Sequence, residues 1–160
     1  HYKKFDLVLQ AFQSLGLPLK VVGVGKEAAH LQRMAKAKSN IEFLDFVPDE
    51  KLRELYAGAR AFIFPQAEDF GLVAAEAQSC GTPVIAFRKG GALEIGEEGK
   101  TGVFFDEQNV LSLIKAIQAA RGIQFNRSYI ARRAKAFSFA AFKKGIWGAI
   151  PKEIKKRGNI

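Results

Sequence analysis

The 160-residue sequence predicts an α/β domain in which helices cover both faces of a parallel sheet. Short apolar runs alternate with amphipathic stretches over the first 110 residues or so, and residues 61–65 are wholly apolar, as a strand covered on both faces is. Glycines and prolines, such as Gly16, Pro18, Gly81 and Pro83, separate these segments. The alternation is typical of a Rossmann-like doubly wound sheet.

The elements follow from local patterns. Leu7, Ala11 and Leu15 share one face of the first helix, and Asp49 is a plausible cap for a helix that buries Leu52, Leu55 and Tyr56. We expect helices over residues 4–15, 27–38, from 48 onward, 71–79, 109–121, 126–137 and 139–156, and strands over 19–23, 41–46, 61–65, 84–87 and 102–105. Residues 88–91 form a glycine loop.

This order predicts one domain over residues 1–160, with a core over 1–110 and C-terminal helices over 111–160. One strand is missing from the pattern, because the sequence opens essentially at a helix, whereas the strand before that helix is usually central in a doubly wound sheet. Either the sequence is a fragment or the upstream strand is not recorded in it.

Composition and charge narrow the function classes. There is no apolar run long enough to span a membrane and no signal pattern, so we expect a cytoplasmic protein. Cys80 is the single cysteine, and we expect it to be buried and structural. The net charge of +9 is concentrated near the C-terminus, where residues 121–160 carry eleven lysines and arginines and one acid, Glu153. Such a patch suits phosphates or anionic lipid better than nucleic acid, since no nucleic-acid-binding motif accompanies it.

The start of the helix over residues 71–79 is a candidate phosphate site. It follows an apolar strand at the carboxyl edge of the predicted sheet, where unpaired backbone N–H groups and the positive end of the helix dipole attract anions. Gly71 has no side chain to keep a phosphate away. We expect Leu72 and Val73 to supply amide donors while their side chains point into the core.

Two carboxylates flank this helix start. Glu68 precedes it and Glu76 lies in its second turn, within reach of a ribose attached to the phosphate. Each acid alone is more often an exposed surface group. Together they describe a diphosphate held between a ribose and a second polyol, which is a nucleotide sugar.

Seven motifs together resemble the family 4 glycosyltransferases, and the chain looks like their C-terminal, donor-binding domain, one half of the two-domain GT-B fold. The resemblance covers about the first 110 residues. The motifs, in the order in which the family has them, are KKFDL from Lys3, VGVG from Val22, FLDFVPDE from Phe43, EDFGLVAAE from Glu68, GTPV from Gly81, GGALE from Gly90 and GKTG from Gly99.

The resemblance assigns roles at the phosphate site. Glu76 would hold the donor ribose and Glu68 would contact hydroxyls of the transferred sugar. The amides of Leu72 and Val73 would hold the diphosphate, and Lys3 would offset the charge of the leaving group. The arginine that the family pairs with this lysine falls outside the chain.

Further roles concern the base. The resemblance places backbone contacts to the base at Phe46 and Val47. Gly23 and Gly25 would let the chain pass close to the cleft, although a tight turn is the better interpretation of Gly-x-Gly without a third glycine.

The resemblance also implies the reaction, which is transfer of a hexose from a nucleotide-diphosphate sugar with retention at the anomeric carbon. No cofactor or metal is expected, because helix amides and Lys3 would take up the leaving group's charge. The donor would be GDP- or UDP-linked, and a likeness to bacterial O-antigen and capsule mannosyltransferases favours GDP-mannose and a role in polysaccharide or lipopolysaccharide biosynthesis. A missing N-terminal domain would bind the glycan or lipid-linked acceptor, so the domain alone would bind donor but transfer poorly.

Three alternatives and one surface remain open. A sugar-nucleotide epimerase of the same fold and a non-catalytic nucleotide-sugar-binding module are the rival functions, and an NAD-binding domain is a distant third. The basic C-terminal helices, with Lys152, Lys155 and Lys156, suggest peripheral contact with an anionic membrane at its inner face. A solvated basic face is the more frequent outcome for such a charge run.

Overall fold

The computed structural model describes residues 3–35 and 39–149. The elements in chain order are α1 Phe5–Leu15, β1 Leu19–Val22, α2 Ala28–Ala35, β2 Ile41–Leu44, α3 Asp49–Gly58, β3 Phe62–Phe64, α4 Leu72–Ser79, β4 Val84–Phe87, α5 Ala92–Ile95, β5 Gly102–Phe105, α6 Val110–Arg121, α7 Arg127–Ala134, a 3₁₀ turn Lys135–Phe137 and α8 Phe139–Ala149. The predicted alternation of strands and helices is confirmed.

All the described strands pair in parallel. β1 pairs with β2, with Leu19 opposite Ile41. β4 lies between β3 and β5, and Ile85 stands opposite Ile63 on one side and Val103 on the other. Parallel pairing with helical crossovers is the α/β class that the sequence predicts.

The strands form two sheets, β1-β2 and β3-β4-β5, rather than one continuous sheet. In the order of a doubly wound sheet, the first strand is central and would separate β1 from β3. Within the described ranges no strand occupies that position.

Helices cover β4 on both faces, which explains its unbroken apolar sequence. Ile85 packs into a cluster with Val8 of α1 and Leu113 of α6. Its neighbours Val84 and Ala86 point the other way, into a second cluster with Phe64, Ala77 of α4 and Ile95 of α5. These clusters fix α4 and α5 against the β3-β4-β5 sheet.

Several local expectations are wrong. The residue that caps α3 is Pro48, with no side-chain hydrogen bond, and Asp49 lies inside the first turn because the helix begins one residue earlier than an aspartate cap requires. Leu52, Leu55 and Tyr56 do form the less exposed side of α3, as expected, but they are only half-buried. Cys80 is also half-buried rather than buried.

Other differences concern one short helix and the ends of several elements. Helix α5 was not predicted, because its four residues are too few to show a helical period. β2 ends at Leu44, two residues early, so that Phe46 belongs to a loop. The predicted ends of the second and last helices, at residues 38 and 156, lie outside the described residues.

Candidate functional site

The site is built around the start of α4. Gly71 is buried and has φ of 81°, a left-handed conformation, and a Cβ there would lie 3.1 Å from Cζ of Phe64. This glycine supplies the left-handed residue immediately before α4. In the described part of the chain the amides of Leu72 and Val73 donate to no protein acceptor. Two first-turn donors are therefore available, as the sequence predicts.

The side chains of these two residues differ from the expectation. Val73 packs against the cluster around Phe64, as predicted. Leu72 does not point into the core, since it is 62% exposed. The reason is positional: the buried face of α4 is formed by Ala74, Ala75, Ala77 and Gln78, and Leu72 lies on the opposite face.

Glu68 is held beside the glycine loop that follows β4. Its side chain is half-buried, and Nε2 of Gln66 donates to its Oε1 at 3.1 Å. Its backbone forms a parallel bridge with Gly90, and the amide of Gly91 donates to its carbonyl oxygen at 2.8 Å. A Cβ on Gly91 would lie 2.2 Å from the carbonyl oxygen of Phe70, so only glycine permits this approach.

Glu76 lies one turn into α4 and faces α3. Glu76 is exposed, yet its pKa is raised above its ordinary value, first by the desolvation that its neighbours cause and then by the negative charge of Asp49. Burial likewise raises the pKa of Tyr56 to about 12, with smaller contributions from the charges of Glu76 and Cys80. Glu76 thus interacts electrostatically with Asp49 and Tyr56 of α3, which the sequence analysis missed because the interaction joins separate helices.

The predicted base region adjoins Asp49. Phe46 and Val47 lie in the loop between β2 and α3, and Asp49 follows two residues later. Phe46 is 78% exposed and Val47 is half-buried. The loop that would contact the base therefore leads directly into the carboxylate that interacts with Glu76.

The two glycines after β1 differ in their surroundings. The amide of Gly23, with φ of 117°, donates to the carbonyl oxygens of Leu44 at 2.9 Å and Asp45 at 3.3 Å. That turn joins the end of β1 to the loop that carries Phe46. Gly25 is exposed, and a Cβ there would meet nothing within 4 Å. Its predicted role next to the cleft stays a prediction.

Lys3 is exposed, just ahead of α1. Within residues 3–35 and 39–149 it makes no hydrogen bond or ion pair, so the structure does not bring it into contact with Glu68 or α4. Its role toward the leaving group stays a prediction.

The stretch from Glu68 to Glu76 offers groups that can bind a phosphate ester with hydroxyl groups on both sides. The unpaired amides at the start of α4 can donate to an anion, and the carboxylates before and after them in the chain can accept hydrogen bonds from hydroxyls. The described residues contain no group of three or more histidine, cysteine, aspartate or glutamate side chains placed to hold a metal ion. Among the described helices none has the length and apolarity that crossing a membrane requires.

A family model described as "Glycosyl transferases group 1" matches residues 1–136, and the chain belongs to this family. A GDP-mannose-dependent alpha-(1-6)-phosphatidylinositol monomannoside mannosyltransferase from Mycolicibacterium smegmatis is 36% identical over 128 residues, which are 70% of this chain and 34% of that protein. The chain thus spans about a third of the length of this relative. The resemblance that the motifs predicted is confirmed.

Solved structures agree on the fold. A glycosyltransferase from Rickettsia africae matches 99% of this chain and 46% of its own with a TM-score of 0.80 at 20% identity. Anabaena Alr3699/HepE, solved in complex with UDP, matches 85% of this chain and 40% of its own with a TM-score of 0.68 at 24% identity. The chain has the fold of one half of the GT-B glycosyltransferases.

Proposed function

We propose that this chain binds the donor of a retaining glycosyltransferase, a hexose linked to GDP or UDP. One observation carries the proposal: the unpaired amides of Leu72 and Val73 lie between Glu68, before the helix, and Glu76, one turn into it. A nucleotide sugar has the matching sequence of groups, with a diphosphate between a ribose and a hexose. The UDP bound by the Anabaena protein supports a nucleotide in this fold.

The nucleoside half would lie along α3. Glu76 accepts hydrogen bonds from the ribose hydroxyls, and the loop with Phe46 and Val47 contacts the base through its backbone. Support comes from the electrostatic effect of Asp49, two residues after Val47, on the carboxylate of Glu76. Because Gly23 and Gly25 have no side chains, the neighbouring turn would pass close to the base.

The hexose half would lie at Glu68, which orients the sugar through its hydroxyls. During transfer the bond from the anomeric carbon to the diphosphate oxygen breaks, the acceptor oxygen forms its bond to that carbon on the same face, and the acceptor's hydroxyl proton passes to the departing diphosphate. The negative charge left on the diphosphate is stabilised by the amides and dipole of α4, with Lys3 as a point charge. No metal or cofactor takes part.

The transferred sugar is proposed to be mannose and the nucleotide GDP, which the name of the Mycolicibacterium relative supports. The chain covers only part of that relative. A further, N-terminal part of the protein would bind a glycan or lipid-linked acceptor in polysaccharide or lipopolysaccharide synthesis. The cytoplasmic face of the membrane is the proposed location, with the basic C-terminal region as a peripheral contact.

Calorimetric titration of GDP, UDP and ADP, and of GDP-mannose and UDP-glucose, tests the proposal. We expect one nucleotide to bind best and Glu76→Ala to weaken it by at least tenfold, about 1.4 kcal/mol. Glu54→Ala is the matched control, because Glu54 is an exposed acid of α3 whose partner among the described residues is Lys51. Equal binding by the Glu76→Ala variant contradicts the ribose role, and failure of every nucleotide to bind contradicts the proposal.

The rival functions predict other products. An epimerase converts the nucleotide sugar without an acceptor, which product analysis detects. A non-catalytic module binds the donor, and no sugar is transferred even after fusion to an acceptor-binding N-terminal half. Sugar transfer by the fused protein supports the proposal over both.

A further inference from the structure

Arg133 of α7 binds the C-terminal end of α5. Its Nη1 donates to the carbonyl oxygen of Ile95 at 2.6 Å and its Nη2 to that of Glu94 at 3.1 Å. Its Nε donates to Oε1 of Glu97. One planar guanidinium thus holds two helix-end carbonyls and a carboxylate, which the fork of arginine donors suits and a lysine ammonium does not.

A second residue of α7 also binds Glu97. The hydroxyl of Tyr129 donates to Oε2 of Glu97 at 2.8 Å. Because both carboxylate oxygens have partners on α7, the segment after α5 has a defined position against that helix. The side chains of Arg133 and Glu97 are only 23% and 33% exposed.

The other end of α5 contacts the loop of Glu68. Helix α5 has four residues, and Gly91 immediately before it donates to the Glu68 carbonyl oxygen. A displacement of α5 at its Arg133 end is therefore carried to Glu68 within one turn of helix.

A second set of contacts joins Arg133 to the loop that carries Glu68. The guanidinium of Arg133 lies over the ring of Phe137, 5.6 Å from its centroid, and Phe137 packs edge-on against Phe70 with the centroids 6.2 Å apart. Phe70 is two residues after Glu68. Arg133 thus reaches the Glu68 loop both through α5 and through an aromatic pair.

We propose that Arg133 is a positioning residue that sets Glu68 for the transferred sugar, an inference that rests on the donor-binding function proposed above. Arg133 touches neither acid that would contact the donor. The residues assigned to the nucleoside are Glu76 on α4 and Phe46 and Val47 in the loop before α3. Loss of Arg133 should therefore weaken binding of the sugar half of the ligand and leave binding of the nucleotide half unchanged.

The test measures dissociation constants by calorimetry for UDP and UDP-glucose and for GDP and GDP-mannose, with the 160-residue chain and its Arg133→Gln and Arg133→Lys variants. For the pair that the unmodified chain binds, we expect the ratio of the nucleotide constant to the nucleotide-sugar constant to fall roughly tenfold in both variants. The constant for the nucleotide alone should stay within about twofold.

Arg132→Gln is the matched control. Arg132 is the adjacent residue, it is exposed, and it stacks on Tyr129 at 5.8 Å. In the described part of the chain it makes no hydrogen bond to residues 94–97. The control removes the same charge and should leave both constants unchanged.

An equal loss of affinity for nucleotide and nucleotide sugar, or unfolding of both Arg133 variants, overturns the inference, because Arg133 would then support the whole fold. An unchanged ratio in variants that bind nucleotide overturns it as well, and leaves the donor site intact. If the unmodified chain binds none of the four ligands, the proposed function fails and this inference fails with it.

Discussion

The amide of Gly91 donates a hydrogen bond of 2.8 Å to the carbonyl oxygen of Glu68, and this contact joins the loops that follow β3 and β4. It brings a glycine loop against the acid that would orient the transferred sugar. The geometry depends on the absence of a side chain, since a Cβ on Gly91 would lie 2.2 Å from the carbonyl oxygen of Phe70.

Substitution Gly91→Ala should therefore displace the Glu68 loop. We expect a loss of about 1–3 kcal/mol in the free energy of unfolding, the usual cost of overpacking, together with weaker binding of nucleotide sugar. Gly145→Ala in α8 is the control, because nothing lies within 4 Å of a Cβ there and alanine favours a helix. Urea denaturation measures the free energy of unfolding of both variants. An equal loss of stability in the two variants would refute the close approach.

The raised pKa of Glu76 predicts pH-dependent binding. A carboxylate accepts hydrogen bonds from both ribose hydroxyls, and protonation removes part of that capacity. Nucleotide affinity should therefore fall with decreasing pH at values above the ordinary glutamate pKa of about 4.3, because desolvation and Asp49 raise the pKa of Glu76.

The control for this titration is Glu76→Gln. The terminal phosphate of the nucleotide also titrates, with a pKa of about 6, and contributes equally to both proteins. Calorimetry between pH 4 and 8 should show a component that the Glu76→Gln variant lacks. Parallel profiles for the two proteins would mean that the Glu76 carboxylate does not bind the nucleotide.

Truncation of two phenylalanines near the site should change stability by very different amounts. Phe64 is fully buried beneath Gly71, so Phe64→Ala should cost about 3–5 kcal/mol of unfolding free energy. Phe46 is 78% exposed, and Phe46→Ala should change stability by less than about 0.5 kcal/mol. Thermal unfolding followed by circular dichroism distinguishes them, and a large loss from Phe46→Ala would show that its loop is packed.

Acid should weaken the contact between α7 and the segment after α5. Hydrogen bonds from Tyr129 and Arg133 hold the pKa of Glu97 below its ordinary value. A carboxylate with a lowered pKa contributes stability that is present above its unfolded pKa and is lost as the pH falls through its folded pKa.

The melting temperature should accordingly fall less between pH 7 and pH 3 in Glu97→Gln than in the unmodified chain. Glu54→Gln should show the full decrease, because the Glu54 pair with Lys51 is exposed and contributes little. The same decrease in all three proteins would argue that Glu97 has no part in acid sensitivity.

The sequence predicted the parts of this structure that local patterns determine. The unbroken apolar run of β4 indicated burial on two faces, and Gly71 marked the start of α4 with its unpaired amides. Leu72 shows the limit of such reasoning, because its exposed position depends on which face of α4 meets the sheet.

Tertiary contacts account for what the sequence could not predict. Asp49 was expected to cap α3, but it acts on Glu76 of another helix. Arg133 belonged to a basic stretch that is usually a solvated face, whereas it binds carbonyls 38 and 39 residues away in the chain. Nothing in the local sequence distinguishes it from its exposed neighbour Arg132.

The central claim is that the first amides of α4 bind the diphosphate of the donor. Two-dimensional ¹H–¹⁵N NMR spectra of the chain, recorded during titration with GDP and UDP, observe those amides directly. We predict the largest shifts at Leu72 and Val73, with smaller ones around Glu76. Saturated nucleotide binding with both amides unmoved would contradict the claim.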